Sequence, residues 1–199
     1  FSGVDSDLVV IKKATVDTSH ASWSNNSFAY DGKEHTVTLT NVTWPSDVTV
    51  TYSGNKATDA GSYTATVTFA YDEEHYNNPT FDSLTWNINK AIADVSWVIG
   101  DYTYNAKGQV ANTLPKAYIT LIDGESAFIN VIEKDNQEFH NAGKYNFVAS
   151  LPESLKANYE LGKNINSSEV EIKKATLDLT NAEWNYTSEF EYRGLEYAV

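Results

Sequence analysis

The chain has 199 residues, with 14 Lys and Arg against 27 Asp and Glu, no Cys, no Met, and a formal charge of −13 at pH 7. This acidity disfavours nucleic acid and anionic membrane surfaces as partners, because both are bound chiefly through Lys and Arg. The absence of cysteine excludes disulfides, thiolate metal sites and cysteine nucleophiles, and no stretch reaches the roughly 18 apolar residues of a membrane-spanning helix.

A short string recurs along the chain and divides it into units. Ile-x-Lys-Ala stands at residues 11–14, 88–91 and 172–175, and the landmarks between these strings keep their order. Such ordered recurrence predicts tandem repeats. We expect residues 1–13 to be the tail of a preceding repeat, 14–90 and 91–174 to be complete repeats, and 175–199 to begin a third.

Within each repeat, apolar and polar residues alternate with the period of a half-buried strand. The clearest run is Tyr63–Tyr71, and similar runs cover 37–39, 48–52, 84–88, 145–151 and 170–172. Turn residues separate these runs, as at Asp31-Gly32 and Ser53-Gly54. The pattern predicts an all-β fold of tandem small β-sandwich (Ig-like) domains, with β-grasp-like sheets as the alternative.

The seam between the two complete repeats has no spacer sequence. Residues 88–95 contain neither Gly nor Pro, so the last strand of one repeat is expected to run directly into the first strand of the next. A seam of this kind limits bending between repeats and predicts a rod.

Comparison of the copies separates packing positions from chemistry. Aromatic and turn positions are kept in these sets: Trp23, Trp97 and Trp184; Tyr30, Tyr104 and Tyr192; Ala60-Gly61 and Ala142-Gly143; Tyr63 and Tyr145; Tyr76 and Tyr159. Acidic positions are not kept, since Asp31 is replaced by Asn105 and Arg193, and Asp59 by Asn141. A carboxylate that acts as a general acid or base does not work as Asn, so a catalytic role repeated in every unit is disfavoured, while a site unique to one unit stays open. No catalytic residue is predicted, and the chain is expected not to be an enzyme.

Three strings of the first complete repeat resemble those of a known family of repeats. Tyr30-Asp31-Gly32-Lys33-Glu34-His35, then 58–64 (Thr-Asp-Ala-Gly-Ser-Tyr-Thr), closed by 88–91, resemble the tandem MBG and YDG-type repeats of bacterial surface proteins. The resemblance implies an extracellular, cell-surface or cell-wall-attached protein whose repeats are stalk or adhesion modules. The string at 59–63 is also similar to the tyrosine corner of Ig-like domains, although Ala65 stands where those domains have Cys.

Metal and cofactor sites are not predicted. The histidines (His20, His35, His75 and His140) lack metal-ligand spacing. The acidic groups Asp72–Glu74 and Asp5 with Asp7 have no EF-hand spacing, and solvated loops are the favoured interpretation over a Ca²⁺ site.

Aromatic residues in loops provide the candidates for ligand binding. Trp44, Tyr71 and Tyr76 are the candidates for stacking on sugar rings, with burial as the favoured alternative for Trp44. The predicted function is therefore a non-catalytic surface repeat that acts as a stalk, spacer or adhesion module. The alternative is a carbohydrate-binding module or an ancillary domain of a surface glycan-degrading enzyme. The partners expected are neighbouring repeats and a host or environmental glycan or protein.

Overall fold

The computed structural model describes residues 10–109, 114–162 and 167–183, and within those ranges the chain forms strands and one short helix. We call residues 14–90 the first segment and residues 91–174 the second segment. The first segment contains β1 (Ser22–Trp23), β2 (Ser27–Ala29), β3 (His35–Thr36), β4 (Leu39–Thr40), β5 (Thr49–Ser53), β6 (Lys56–Ala57), β7 (Gly61–Ala70) and β8 (Leu84–Asn89). The second contains β9 (Ala91–Ala93), β10 (Val95–Val98), β11 (Tyr102–Thr103), β12 (Lys116–Thr120), β13 (Ser126–Glu133), β14 (Gly143–Ser150), α1 (Glu153–Lys156), β15 (Tyr159–Leu161) and β16 (Ser167–Lys173). The all-β prediction is confirmed.

Each sheet is built from strands of one segment. In the first segment a four-stranded sheet has the order β2-β8-β7-β5, and β1-β4 and β3-β6 form two-stranded pairs. In the second segment a six-stranded sheet has the order β10-β12-β13-β14-β16-β11, and β15 pairs with β9. The burial of β7 alternates along its length, with Ala65 fully buried between exposed threonines, as the period of two requires.

The register of pairing agrees between the two segments. Gly61 of β7 faces Ile88 of β8, and Gly143 of β14 faces Ile172 of β16, in antiparallel pairs. The short strands β2 and β11 lie parallel to β8 and β16 and face the same two isoleucines. Tyr63 and Tyr145 therefore occupy the same place in corresponding strands.

The hydroxyls of these two tyrosines form equivalent bonds. Tyr63 donates to the carbonyl of Asp59 at 2.7 Å, and Tyr145 donates to the carbonyl of Asn141 at 2.8 Å. Each bond closes the turn that leads into the strand, since the acceptor lies four residues before the tyrosine.

The core of the first segment surrounds Trp86. Its side chain is fully buried, its ring lies 5.0 Å from the Tyr63 ring, and its indole N–H donates to the Gly54 carbonyl at 3.0 Å. Trp23, by contrast, is half-buried and packs edge-on against Tyr52. The tryptophan that recurs along the sequence is therefore not the one at the centre of the core.

The core of the second segment has different residues at the corresponding positions. Val170 faces Tyr145 at the register position that Trp86 occupies opposite Tyr63. Phe139 packs edge-on against Tyr145 at 4.9 Å, and all three side chains belong to one cluster or its border. The strand residue Val170 is smaller than Trp86, and in the second segment the loop residue Phe139 packs in the same cluster.

Some sequence predictions fall outside the described residues. Asp5, Asp7, Trp184, Tyr192 and Arg193 belong to this group, together with most of the predicted partial repeats 1–13 and 175–199. None of the helical residues that the structure describes forms a span long and apolar enough to cross a membrane.

Candidate functional site: the junction between the segments

The two segments are joined through a single residue, Lys90, between β8 and β9. On one side of it, the Asn89 carbonyl accepts a hydrogen bond from the Tyr30 backbone N–H at 2.8 Å. On the other side, the Ala91 N–H donates to the Asn158 carbonyl at 2.9 Å. The Lys90 ammonium donates to the Lys156 carbonyl of the second segment. Residues 89–91 are therefore hydrogen-bonded to both segments. This arrangement agrees with the predicted extended seam.

The side chain of Asn158 connects the second segment to a turn of the first. Its Oδ1 accepts from the Ala60 backbone N–H at 2.7 Å, and its Nδ2 donates to the Asp59 carboxylate at 2.9 Å. A carboxamide offers a donor and an acceptor side by side, so one residue satisfies both groups of the turn. The turn is the one that the Tyr63 hydroxyl closes from within the first segment.

The ring of Tyr30 lies between the two cores. It packs at the border of the cluster around Trp86 and also at the border of the cluster that contains Tyr159. The rings of Tyr30 and Tyr159 meet edge-on at 5.6 Å, which is a favourable aromatic geometry. Burial, assisted by the neighbouring Tyr159 and by Asp59, raises the pKa of the Tyr30 phenol above its ordinary value.

Gly32 allows a close approach between the segments. Its φ is +75°, and a Cβ at this position would lie 2.9 Å from Cδ1 of Ile122 in the loop between β12 and β13. A side chain here would therefore need both a strained backbone and a shift of Ile122. The backbone N–H of Lys33 donates to the Asp31 carboxylate at 3.0 Å, and this bond, aided by the nearby His35, holds the pKa of Asp31 below its usual range.

A groove of about 640 Å³ runs along this junction. It is lined from both segments, by Tyr30, Asp31, Gly32, Lys33, Leu121, Ile122, Asp123, Ser154, Leu155, Asn158 and Tyr159. The lining mixes phenols, carboxylates, one ammonium and aliphatic groups. Among the polar contacts of these lining residues, the Asn158 side-chain bonds to Ala60 and Asp59 join one segment to the other. The chemistry that this site supports is therefore association between segments.

Trp44, Tyr71 and Tyr76 lie in the first segment and are all half-buried. Trp44 packs against Phe69 with ring centroids 5.0 Å apart, and the Tyr76 hydroxyl donates to Asp47 at 3.0 Å. In the described part of the chain, no two of these three rings form a ring pair with each other. Their role in glycan binding stays a prediction.

The other polar candidates lie apart from one another. His75 accepts or donates a bond of 2.6 Å with Asp72, and this bond holds the pKa of Asp72 below its ordinary value. No group of three or more His, Asp or Glu side chains with the geometry for a metal ion occurs within residues 10–109, 114–162 and 167–183.

Sequence reasoning missed Asn158 and Ile122. Comparison of the copies discards both, because it retains only residues that recur, and Asn158 corresponds to His75 in the first segment. The signal that was available is the recurring tyrosine at Tyr76 and Tyr159. Tyr76 directly follows His75, and Tyr159 directly follows Asn158.

Comparisons of the chain with family models, curated proteins and solved structures gave no match.

Proposed function

We propose that this chain is a non-catalytic region of an extracellular bacterial surface protein, built from tandem small Ig-like β-sandwich repeats that act as a stiff stalk. The resemblance to MBG and YDG-type repeats supplies the cellular setting. The junction at Lys90 is the single observation that carries the mechanical role.

The division into repeats has support from corresponding contacts. The pairs Gly61 with Ile88 and Gly143 with Ile172 share one register, and the Tyr63 and Tyr145 hydroxyls bond equivalent carbonyls. Two different core fillings keep the same strand pairing, which is expected when one fold has diverged in sequence.

The stiffness follows from the way in which the segments meet. Domains joined by a flexible linker reorient freely, and relative motion is the default for neighbouring domains. Here the linker is one residue, backbone bonds hold it on both sides, and Asn158 and Tyr30 tie the segments together away from the seam. Bending about Lys90 would break all of these contacts at once. The range of angles between the two segments is therefore expected to be narrow.

A distance measurement tests this proposal. Because the native chain has no cysteine, Thr68→Cys and Asn130→Cys place one spin label on an exposed strand position of each segment. Pulsed electron resonance is expected to give one narrow distance distribution. Asn158→Ala in the labelled chain should broaden it, whereas the matched control Asn87→Ala, an exposed strand residue, should not. A broad distribution in the labelled parent chain would refute the stiff stalk.

A further inference from the structure

We infer that two copies of the chain associate side by side, through antiparallel pairing of strand β5 of one copy with β5 of the other. The two four-stranded sheets then form one continuous sheet across the contact. This inference goes beyond the proposed stalk, because it adds a lateral partner and does not depend on how the two segments meet.

Strand β5 is an open edge of its sheet. It stands at the end of the order β2-β8-β7-β5. Alternate residues of an antiparallel strand direct their N–H and C=O groups to opposite sides, and β7 pairs with one side of β5. Within the described residues, no backbone hydrogen bond joins β5 to any element other than β7. The outward groups of β5 are therefore available to a further strand.

The second segment closes this edge with a strand of its own. There β13 corresponds to β5, and it pairs with β14 on one side and with β12 on the other. β12 also pairs with β10, where Trp97 faces Ala117. The counterpart of β12 in the first segment is β4, which pairs with β1 where Trp23 faces Leu39 and has no pairing with β5.

The loop between β4 and β5 accounts for this difference. It spans residues 41–48, whereas β12 and β13 are joined by the shorter loop 121–125. Asn41 begins the longer loop with a φ of +59°, a conformation outside that of a strand. Trp44 of the same loop packs against Phe69 of β7. All of these elements lie within residues 10–109, which the structure describes without a gap.

The composition of β5 suits pairing with another strand. Its sequence is Thr-Val-Thr-Tyr-Ser, and β-branched and aromatic residues of this kind favour strands. Residues 48–55 include no charged side chain, in a chain with 27 acidic and 14 basic residues. Edge strands that stay unpaired are commonly protected by Lys, by other charges or by Pro. β5 has none of these.

The sequence of β5 is also complementary to itself when two copies run antiparallel. With Thr51 on the twofold axis, Thr49 faces Ser53 of the second copy and Val50 faces Tyr52 of the second copy. Hydroxyl pairs, and a β-branched residue opposite an aromatic ring, are among the cross-strand pairs that stabilise sheets. Such a contact uses the same patch on both copies and closes on a dimer.

The neighbours of β5 confine this pairing to its five residues. After the strand, the Val37 N–H donates to the Asn55 carbonyl at 2.9 Å, and the Asn55 side chain donates to the Val37 carbonyl at 3.0 Å. Before the strand the chain turns, with the Val48 N–H donating to the Pro45 carbonyl at 3.0 Å. In the antiparallel arrangement this turn of one copy lies beside Asn55 of the other, so the second chain leaves the edge where Val37 occupies it. A contact of this length is small, and a concentration-dependent dimer is expected.

Sedimentation velocity of the full-length chain over a concentration series tests the association. The native chain is expected to be in equilibrium between monomer and dimer. Thr51→Lys places two like charges opposite each other on the axis and should raise the dissociation constant at least tenfold. Ser96→Lys is the matched control, because Ser96 is exposed on β10, an edge strand of the second segment, and it should leave the equilibrium unchanged. Circular dichroism verifies that both variants keep the native strand content.

Two results of this experiment would overturn the inference. A native chain that stays monomeric at every concentration would show that β5 does not pair with a second copy. An equilibrium that is unchanged in Thr51→Lys would place the contact elsewhere on the chain.

Single cysteines test the register, because the native chain has none. Under mild oxidation, Thr51→Cys should form a disulfide-linked dimer, since the two thiols face each other on the axis. Thr49→Cys and Ser53→Cys chains should cross-link when mixed, and several-fold less when each is alone. Thr68→Cys, at the exposed position of β7 that faces Thr51, gives the level of random collision. Thr51→Cys dimers at that level, or Thr49→Cys dimers as abundant as those of the mixture, would refute antiparallel pairing of β5.

Discussion

Replacement of Trp86 by Ala tests whether the first segment folds around a core of its own. The ring is fully buried and its indole N–H is bonded to the Gly54 carbonyl at 3.0 Å. Burial of about 150–250 Å² at about 25 cal/mol per Å² gives roughly 4–6 kcal/mol. Measured truncations of buried Trp and Phe cost about 3–5 kcal/mol. We therefore expect a loss of about 4 kcal/mol from the free energy of unfolding of the first segment.

Urea unfolding followed by far-ultraviolet circular dichroism measures this loss. With an m value of about 1–2 kcal/mol/M, the midpoint of the first segment should fall by about 2–4 M. The transition of the second segment should stay close to its original midpoint, because its two core clusters contain no first-segment residue except Tyr30 at the border. Trp23→Ala is the matched control, since this half-buried ring should cost less.

Two results would contradict this reasoning. An unchanged midpoint for Trp86→Ala would show that the ring is not the centre of a core. A single transition that shifts as a whole would show that the segments unfold as one cooperative unit.

Four further changes address the turns, the junction and the ligand. Tyr63→Phe removes a 2.7 Å bond to a backbone carbonyl and should cost the first segment about 1 kcal/mol; an equal urea midpoint would show that water replaces it. Gly54→Ala places a Cβ 2.2 Å from a backbone oxygen and should unfold the first segment on thermal melting, whereas Gly124→Ala, which shares the positive φ but whose Cβ meets nothing within 4 Å, should cost only the backbone strain and lower the melting temperature less. The pKa of Tyr30 is raised in the fold, so the neutral phenol contributes fully to the free energy of unfolding below about pH 10, and this contribution is lost as pH rises through the raised pKa. Tyr30→Phe should therefore lose less stability at alkaline pH than the native chain, and equal pH dependence of the two free energies of unfolding would refute this. Neither the native chain nor Trp44→Ala should be retarded in polysaccharide gels, and saturable binding lost in Trp44→Ala would favour the glycan-binding alternative.

Local pattern was enough to predict the strands and the course of the seam. Tyr63, Ala65 and Val67 alternate with threonine, and a strand turns successive side chains to opposite faces whatever its neighbours are. Lys90 stands in a stretch without Gly or Pro, and its chain is held extended. The recurrence of Gly61 and Gly143 pointed to two positions that share one strand register.

Tertiary structure alone decided what lies in the core and what lies at the junction. Trp86 is central because β8 lies between β2 and β7, while the recurring Trp23 stands on a short strand near the border. Asn158 meets Ala60 across 98 positions of sequence. No local pattern encodes that contact, because it depends on how the sheets of the two segments come together. The sequence by itself determined strands, turns and seam, since these follow from backbone periodicity and conformation; burial and contact between distant residues were decided only when the sheets packed.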